Sequence, residues 1–379
     1  MPYYFRAVAL DFDGTIAEDD RVNPRALAAT GELRRRGRHV ILCTGRILAE
    51  LHAVFPDVDR FFDAIVAENG AVLSLPGRSP RRTVDPLPHE LQQRLAREGV
   101  PSRTGDVLLA TSVEHDVAVL EAVRAMGIDA QLVHNRSELM VLPSGVNKAT
   151  GLSEALAELH VSKHSTIAIG DAENDHSLLH SCAVGVAVGN AVPALRAGAD
   201  VLLDGEDGEA VAGFLLGPVL SGELRVAPDR WKIELGEDEA RTPVCLPGAR
   251  TNVLVAGVSG TGKSYMAGLL VERLVDLGYT ACVFDSEGDH TGLDVLRGAV
   301  VVGGAEPLPG PTQLARIIRN RFTSVVVDLS LLDYDAKRAY LQSALAQLTA
   351  LRRESGLPHW IVLEEADQLL AGITLPAEE

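Results

Sequence analysis

Two carboxylates two residues apart, Asp11 and Asp13, close the apolar run 4–10 in the stretch Asp11-Phe12-Asp13-Gly14-Thr15. The run is short and rich in strand formers, which predicts a buried parallel strand. Acids at the carboxyl end of such a strand lie where open α/β sheets build their sites. Gly14 permits a sharp turn there. The pattern suits a carboxylate nucleophile with a second acid beside it; the alternative is an ordinary acidic strand-to-helix turn. Three further stretches carry chemistry in a fixed order. Residues 41–46 read as a strand ending in Thr44, Gly45 and Arg46. Lys148 follows the turn Pro143-Ser144-Gly145 and opens a helix. Residues 167–175 run from an apolar strand into Asp171, Glu173, Asn174 and Asp175.

A second constellation lies downstream. The apolar run 252–256 predicts a strand, followed by Gly257-Val258-Ser259-Gly260-Thr261-Gly262-Lys263-Ser264 and an amphipathic helix to about residue 277. Strand, Gly-x4-Gly-Lys-Ser and helix together are the context of a P-loop. Its backbone amides, at Gly257, Gly260, Thr261 and Gly262, would cradle the phosphates of ATP. Lys263 would lie on the β/γ oxygens and Ser264 on Mg²⁺. Residues 281–289 and 324–330 are further strands ending in acids. Residues 360–367 end in Glu364 and Glu365, an arrangement in which one acid serves Mg²⁺ and the other polarises water.

The elements that must position these residues alternate regularly. A helix over 23–36 starts with Asn23 as N-cap and Pro24 at its first position and ends at Gly37. A strand to Thr44, a helix over 47–55, a strand over 64–67 and the turn Glu68-Asn69-Gly70 follow. This βα alternation predicts a doubly wound parallel sheet. From about 81 to 142 the pattern changes to helix (88–97), strand (107–111), helix (117–126) and two strands (130–133, 138–142), a small α+β insert. Core units resume at Lys148 and run to about 216, with a strand at 183–188 and a turn at 189–191. Residues 217–229 read as a linker and 230–379 as a second α/β domain.

The 379 residues suffice for two or three domains. The net charge of −17, with both halves acidic, argues against a broadly basic nucleic-acid surface. Cys43, Cys182, Cys245 and Cys282 are scattered, without a Cys-x-x-Cys pair, which fits reduced cytosolic thiols. No apolar run approaches a bilayer span and the chain enters a strand directly, so a cytoplasmic protein without membrane association is expected.

In their order, the four pieces around Asp11, Thr44, Lys148 and Asp171 resemble the haloacid dehalogenase (HAD) superfamily of phosphatases, over roughly residues 1–215. The resemblance implies a HAD core (1–80 and 143–216) with a cap insert (81–142). That cap is shorter than many of the Cof-like branch, which points to the branch with phosphoglycolate and sugar-phosphate phosphatases. It assigns Asp11 as a nucleophile forming an aspartyl-phosphate, Asp13 as general acid then base, Thr44 as a phosphoryl hydrogen-bond donor and Lys148 as charge compensation. Asp171 and Asp175 would hold Mg²⁺ alongside Asp11, with the Asp13 carbonyl as a further ligand and Asn174 orienting the metal ligands. Helix N-capping is the rival role for Asp171 and Asp175. Arg46 fits a salt bridge as well as a substrate contact. His176 and His180, four apart on a helix, have no visible third ligand and read as surface residues.

Residues 230–379 resemble the HerA–FtsK group of P-loop ATPases, through the leading strands, the Asp285-Ser286-Glu287-Gly288-Asp289 stretch and Asp328-Leu329-Ser330. Glu364 departs from the aspartate usual there. The resemblance implies ATP and Mg²⁺ as ligands, with Glu364 on the metal and Glu365 catalytic; self-association is the habit of that group. The expected function is a Mg²⁺-dependent phosphomonoester hydrolase for a small phosphorylated metabolite, fused to an ATP-binding module. The alternatives are a nucleic-acid end-processing phosphatase with a DNA-acting ATPase or kinase, less favoured on charge and cap, and an ATP-dependent switch or scaffold without turnover.

Overall fold

The computed structural model describes residues 5–370. The described residues form two compact units, 5–226 and 227–370.

The first unit is built on an eight-stranded sheet. Its order is Val201–Leu202, Val184–Ala187, Thr166–Gly170, Ala7–Leu10, His39–Cys43, Ala64–Ala67, Val72–Ser74 and Arg81–Arg82. The six strands from Val201–Leu202 to Ala64–Ala67 run parallel, and the last two turn back antiparallel. Ala7–Leu10 and Thr166–Gly170 are buried along their whole length, as strands covered on both faces by helices must be. The helix Pro24–Arg35 starts where Asn23 accepts the N–H groups of Arg25 and Ala26, with Pro24 at its first position. Lys148–Leu159 starts with a reciprocal cap between Asn147 and Thr150.

The chain leaves this sheet after Arg82 and forms an antiparallel sheet of its own, in the order Ala130–Asn135, Glu138–Pro143, Leu109–Ser112, Arg103–Thr104. The helices His89–Arg97 and Asp116–Met126 cover it, closing a separate small core around Leu91, Leu95, Val119, Leu139 and Val141. Residues 217–226, expected as linker, differ from that reading: Val219, Leu220 and Leu224 are buried in the main core of the first unit. The run Leu215–Val219 extends the apolar face of the preceding helix, Asp207–Phe214, and burying it is worth more than leaving it in water.

The second unit has a parallel sheet in the order Ala299–Gly303, Ser324–Asp328, Ala281–Asp285, Trp360–Leu363. Alternate residues face opposite sides. Cys282, Phe284, Val325 and Val327 pack with Leu314, Ile318, Leu341 and Leu348. Ala281, Val283 and Val326 pack with Leu270, Val271 and Leu274 of the helix Lys263–Asp276, where Ile233 of the hairpin Lys232–Glu237/Pro243–Pro247 joins them. The strand expected at 252–256 does not form. Residues 252–260 are exposed and 252–258 pair with no strand among the described residues. Strand propensity alone does not hold a segment whose amides have no neighbouring ladder. No described helix is long and apolar enough to cross a membrane.

Candidate active site

The central strand Ala7–Leu10 is flanked by Thr166–Gly170 on one side and His39–Cys43 on the other. The chain order reverses across it, so a crevice opens at the carboxyl ends of these strands. Asp11, Thr44 and Asp171 stand there, one after each strand. Asp11 continues the ladder, its N–H donating to the Ile169 carbonyl at 2.9 Å. Asp11, Thr44, Asp171 and Asp175 are buried.

Lys148, at the first position of its helix, is 1% exposed and donates to Asp11 Oδ1 at 2.5 Å and Asp175 Oδ1 at 2.6 Å. The second oxygen of Asp175 accepts the backbone N–H groups of Asp171 and Ala172, both at 3.0 Å. Asp175 therefore fills the capping role with one oxygen and turns the other toward Lys148 and the acid cluster. Thr15 Oγ1 bridges Asp11 and Asp171, at 3.4 and 3.3 Å. Gly14 has φ +74°, and a Cβ there would run into the Asp171 carboxylate; the turn is tight because the acids are. Asn190 Nδ2 donates to the Gly14 carbonyl at 2.9 Å and pins the loop.

Arg46 is a salt-bridging residue in this structure. It grips Asp13 with Nε at 2.8 Å and an Nη at 2.5 Å, and the same nitrogen reaches Asp20. These bonds raise its already high pKa, against the effect of partial burial. The Thr44 hydroxyl accepts the Arg46 N–H at 3.1 Å. His176 and His180 are exposed.

The turn Glu68-Asn69-Gly70 ties these parts together. Glu68 and Asn69 both hold left-handed backbone, φ +52° and +54°. Glu68 N–H donates to Arg46 O, Asn69 N–H to Thr44 O, and Asn174 Nδ2 to Asn69 Oδ1 at 3.2 Å. The buried Glu68 carboxylate accepts three consecutive amides of the insert, Asp106, Val107 and Leu108, at 2.8–2.9 Å. Gly105 precedes them, and a side chain there would overlap that carboxylate. Sequence reasoning reads this stretch only as a turn. It passes over Thr15 as part of a motif, and it misses Arg136, the hairpin-tip residue of the insert that ion-pairs with Asp171 Oδ2.

Asp11, Asp171 and Asp175 each offer a carboxylate oxygen, and the three lie within 4.8 Å of one another. Burial, then the charge of Asp175, holds the Asp11 carboxyl well above the usual carboxylate range despite Lys148. Burial and Asp175 raise Asp171 as well. Burial alone would lower Lys148, but the charges of Asp11 and Asp175 override it and raise its pKa. Three acids share one buried ammonium and the half-exposed Arg136, one cation short of three, and the donors are hard oxygens. The residues fit a divalent cation such as Mg²⁺.

In the second unit Lys263 and Ser264 open the helix Lys263–Asp276. Gly257, Gly260, Thr261 and Gly262 form the exposed loop before it, in which Thr261 Oγ1 donates to Val258 O at 2.8 Å. Asp285 is buried and accepts four successive N–H groups, from Glu287 to His290, at 2.8–3.3 Å, so it shapes the loop after its strand. Glu364 is buried with its Oε2 3.4 Å from His290 Nε2, while Glu365 takes a left-handed turn (φ +49°) and caps a short helix.

Residues 8–95 and 124–215 match the family described as haloacid dehalogenase-like hydrolase, and residues 233–358 match the central domain of helicase HerA. A phosphoglycolate phosphatase of Methanopyrus kandleri is 30% identical over 222 residues, which is 55% of this chain and 94% of that protein. One of Methanothermobacter thermautotrophicus is 30% identical over 216 residues, 55% of this chain and 96% of that protein. The crystal structure of a HAD/COF-like hydrolase from Plasmodium vivax shares the fold, with TM-score 0.50 and 18% identity over 58% of this chain and 96% of that one. The chain belongs to the haloacid dehalogenase-like hydrolase family. It is a HAD-type phosphatase carrying a HerA-like P-loop domain in its C-terminal part.

Proposed function

We propose that the first unit is a Mg²⁺-dependent phosphomonoesterase acting through Asp11 on a small phosphorylated metabolite, with phosphoglycolate and related phosphorylated acids the first candidates. The observation that carries this is the gathering of Asp11, Asp171 and Asp175 around the buried Lys148 at the carboxyl ends of the central strands. Mg²⁺, held by Asp11, Asp171 and Asp175, would neutralise charge on the transferred phosphoryl group. An Asp11 oxygen attacks phosphorus as the ester P–O bond breaks, and Asp13 gives the leaving oxygen its proton. Water then attacks the aspartyl-phosphate, Asp13 takes its proton, and phosphate leaves. Lys148 offsets charge, Thr44 donates to the phosphoryl oxygens, and Asn174 orients the ligand loop. The insert 83–142 acts as a cap over the crevice, restricting it to small esters. The second unit binds ATP at Lys263 and Ser264, with Glu364 and Glu365 as its acids. The match to a helicase domain supports a second reading, action on nucleic-acid ends.

The test is Mg²⁺-dependent phosphate release from a panel of phosphorylated metabolites, nucleotides and end-phosphorylated oligonucleotides, for wild type, Asp11→Asn and Lys263→Ala. Release from small esters lost in Asp11→Asn and kept in Lys263→Ala is the expected result. Activity confined to oligonucleotide ends would replace the metabolite reading by the nucleic-acid one.

A further inference from the structure

Arg136 stands out because nothing in the phosphoryl-transfer chemistry calls for it. It sits at the tip of the hairpin joining Ala130–Asn135 to Glu138–Pro143, in left-handed backbone with φ +52°. Its guanidinium crosses to the core and ion-pairs with Asp171 Oδ2. A Cβ on Gly14 would lie 2.8 Å from one of its nitrogens, so it lies against the loop that follows Asp13. The strand Ala130–Asn135 also packs on the turn Glu173–Asp175, which fixes the hairpin over the carboxylate cluster.

The Arg136 side chain is 55% exposed while Asp171 is fully buried. Asp171 is buried and needs a compensating cation; a divalent cation held by Asp11, Asp171 and Asp175 would supply it in place of Arg136, whose half-exposed guanidinium could turn away into water. Freed in this way, the fork would stay tethered above the cluster, where the part of a substrate beyond its phosphate would lie. A guanidinium presents parallel N–H donors matched to a carboxylate or a phosphate. We propose that Arg136 is the specificity-determining residue of this site, and that it takes the second anionic group of a small phosphorylated acid. This rests on the phosphatase reading above and deepens it: the preferred substrates carry a negative charge a few bonds from the ester, and neutral-tailed esters of the same size are poor ones.

Ethyl phosphate and 2-phosphoglycolate differ by a methyl against a carboxylate, and the bisphosphate of ethane-1,2-diol carries a phosphate there. The quantity to read is the kcat/KM ratio of each anionic ester to ethyl phosphate. Losing a charge-assisted hydrogen-bonded pair lowers that ratio about 10- to 100-fold in Arg136→Ala. Arg136→Lys, which keeps the charge without the fork, falls in between. Whichever anionic ester shows the larger drop identifies the group bound. Calorimetric binding of the same three esters to Asp11→Asn and to Asp11→Asn/Arg136→Ala, with Mg²⁺, gives the ratio without turnover. An unchanged ratio in both measurements overturns the proposal, including the case where all esters weaken equally because Arg136 only supports the cluster. Wild type that binds the anionic esters selectively through Arg136 but hydrolyses none would instead sink the phosphatase reading and leave the binding role standing.

Discussion

Replacing Glu68 by glutamine removes a charge from a site that holds the insert to the core, and its effect can be worked from the geometry. Oε2 accepts the N–H groups of Val107 and Leu108 at 2.8 and 2.9 Å, and Oε1 accepts that of Asp106 at 2.9 Å. The glutamine keeps one oxygen, best placed toward Val107 and Leu108, and turns an NH₂ toward the Asp106 N–H. Two bonds change from charged to neutral acceptors and one is lost. With hydrogen bonds to charged groups worth about 1.5–3 kcal/mol and neutral ones about 0.5–1.5, the total is about 4–5 kcal/mol. That is a large share of the stability of an ordinary domain. Opening of the 105–108 loop should become roughly a thousandfold more frequent, since each 1.4 kcal/mol is a factor of ten. Hydrogen–deuterium exchange of peptides covering 103–110 reads this directly. Glu50→Gln is the control, because the ion pair of Glu50 with Arg103 lies at the exposed surface and contributes little. If exchange in Glu68→Gln stays within a few-fold of wild type, or if Glu50→Gln matches it, the three-amide bond set is not what fastens the insert.

Lys148→Met leaves Asp11 and Asp175 buried without their common cation; urea unfolding of the metal-free protein should show a loss of about 3–5 kcal/mol, and a loss under 1 kcal/mol would mean the acids are solvated. Because burial and Asp175 push the Asp11 carboxyl up, it takes a proton at a pH where an exposed carboxylate is still ionised. Mg²⁺ affinity should therefore begin to fall at a correspondingly higher pH on acidification, and binding should release protons, seen as a dependence of calorimetric heat on buffer ionisation enthalpy. Heats independent of buffer across that range would contradict the sign of the shift.

Much of the core and of the acid cluster is legible in the sequence because strand-end chemistry is local. Asp11, Thr44 and Asp171 each follow an apolar strand directly, and parallel pairing brings the carboxyl ends of adjacent strands together without further information. Arg136 has no such signature: it is an arginine in a two-residue turn, and its partner is Asp171, 35 residues away. Glu68 is legible as a turn but not as an acceptor, since its donors are backbone amides about forty positions on and amides carry no sequence identity. The segment 252–258 shows the opposite error. Its residue types favour a strand, but pairing is a property of neighbours, and the residues before the glycine loop have none among the described residues.

The bond set at Glu68 also bears on how such an insert is gained and lost. Two consecutive non-glycine residues in left-handed backbone cost about 1 kcal/mol or more each, and the three insert amides are what offset that cost. A core shortened by excising 83–142 keeps the strained turn and loses its compensation, while the same turn still fixes Thr44, Arg46 and Asn174 through their backbone and amide bonds. Relaxation of the turn would then travel straight into the loops that carry Thr44, Arg46 and Asn174. The insert is thus not a detachable accessory: trimming it calls for a simultaneous change at Glu68, for instance to a residue at ease in that conformation such as asparagine or glycine.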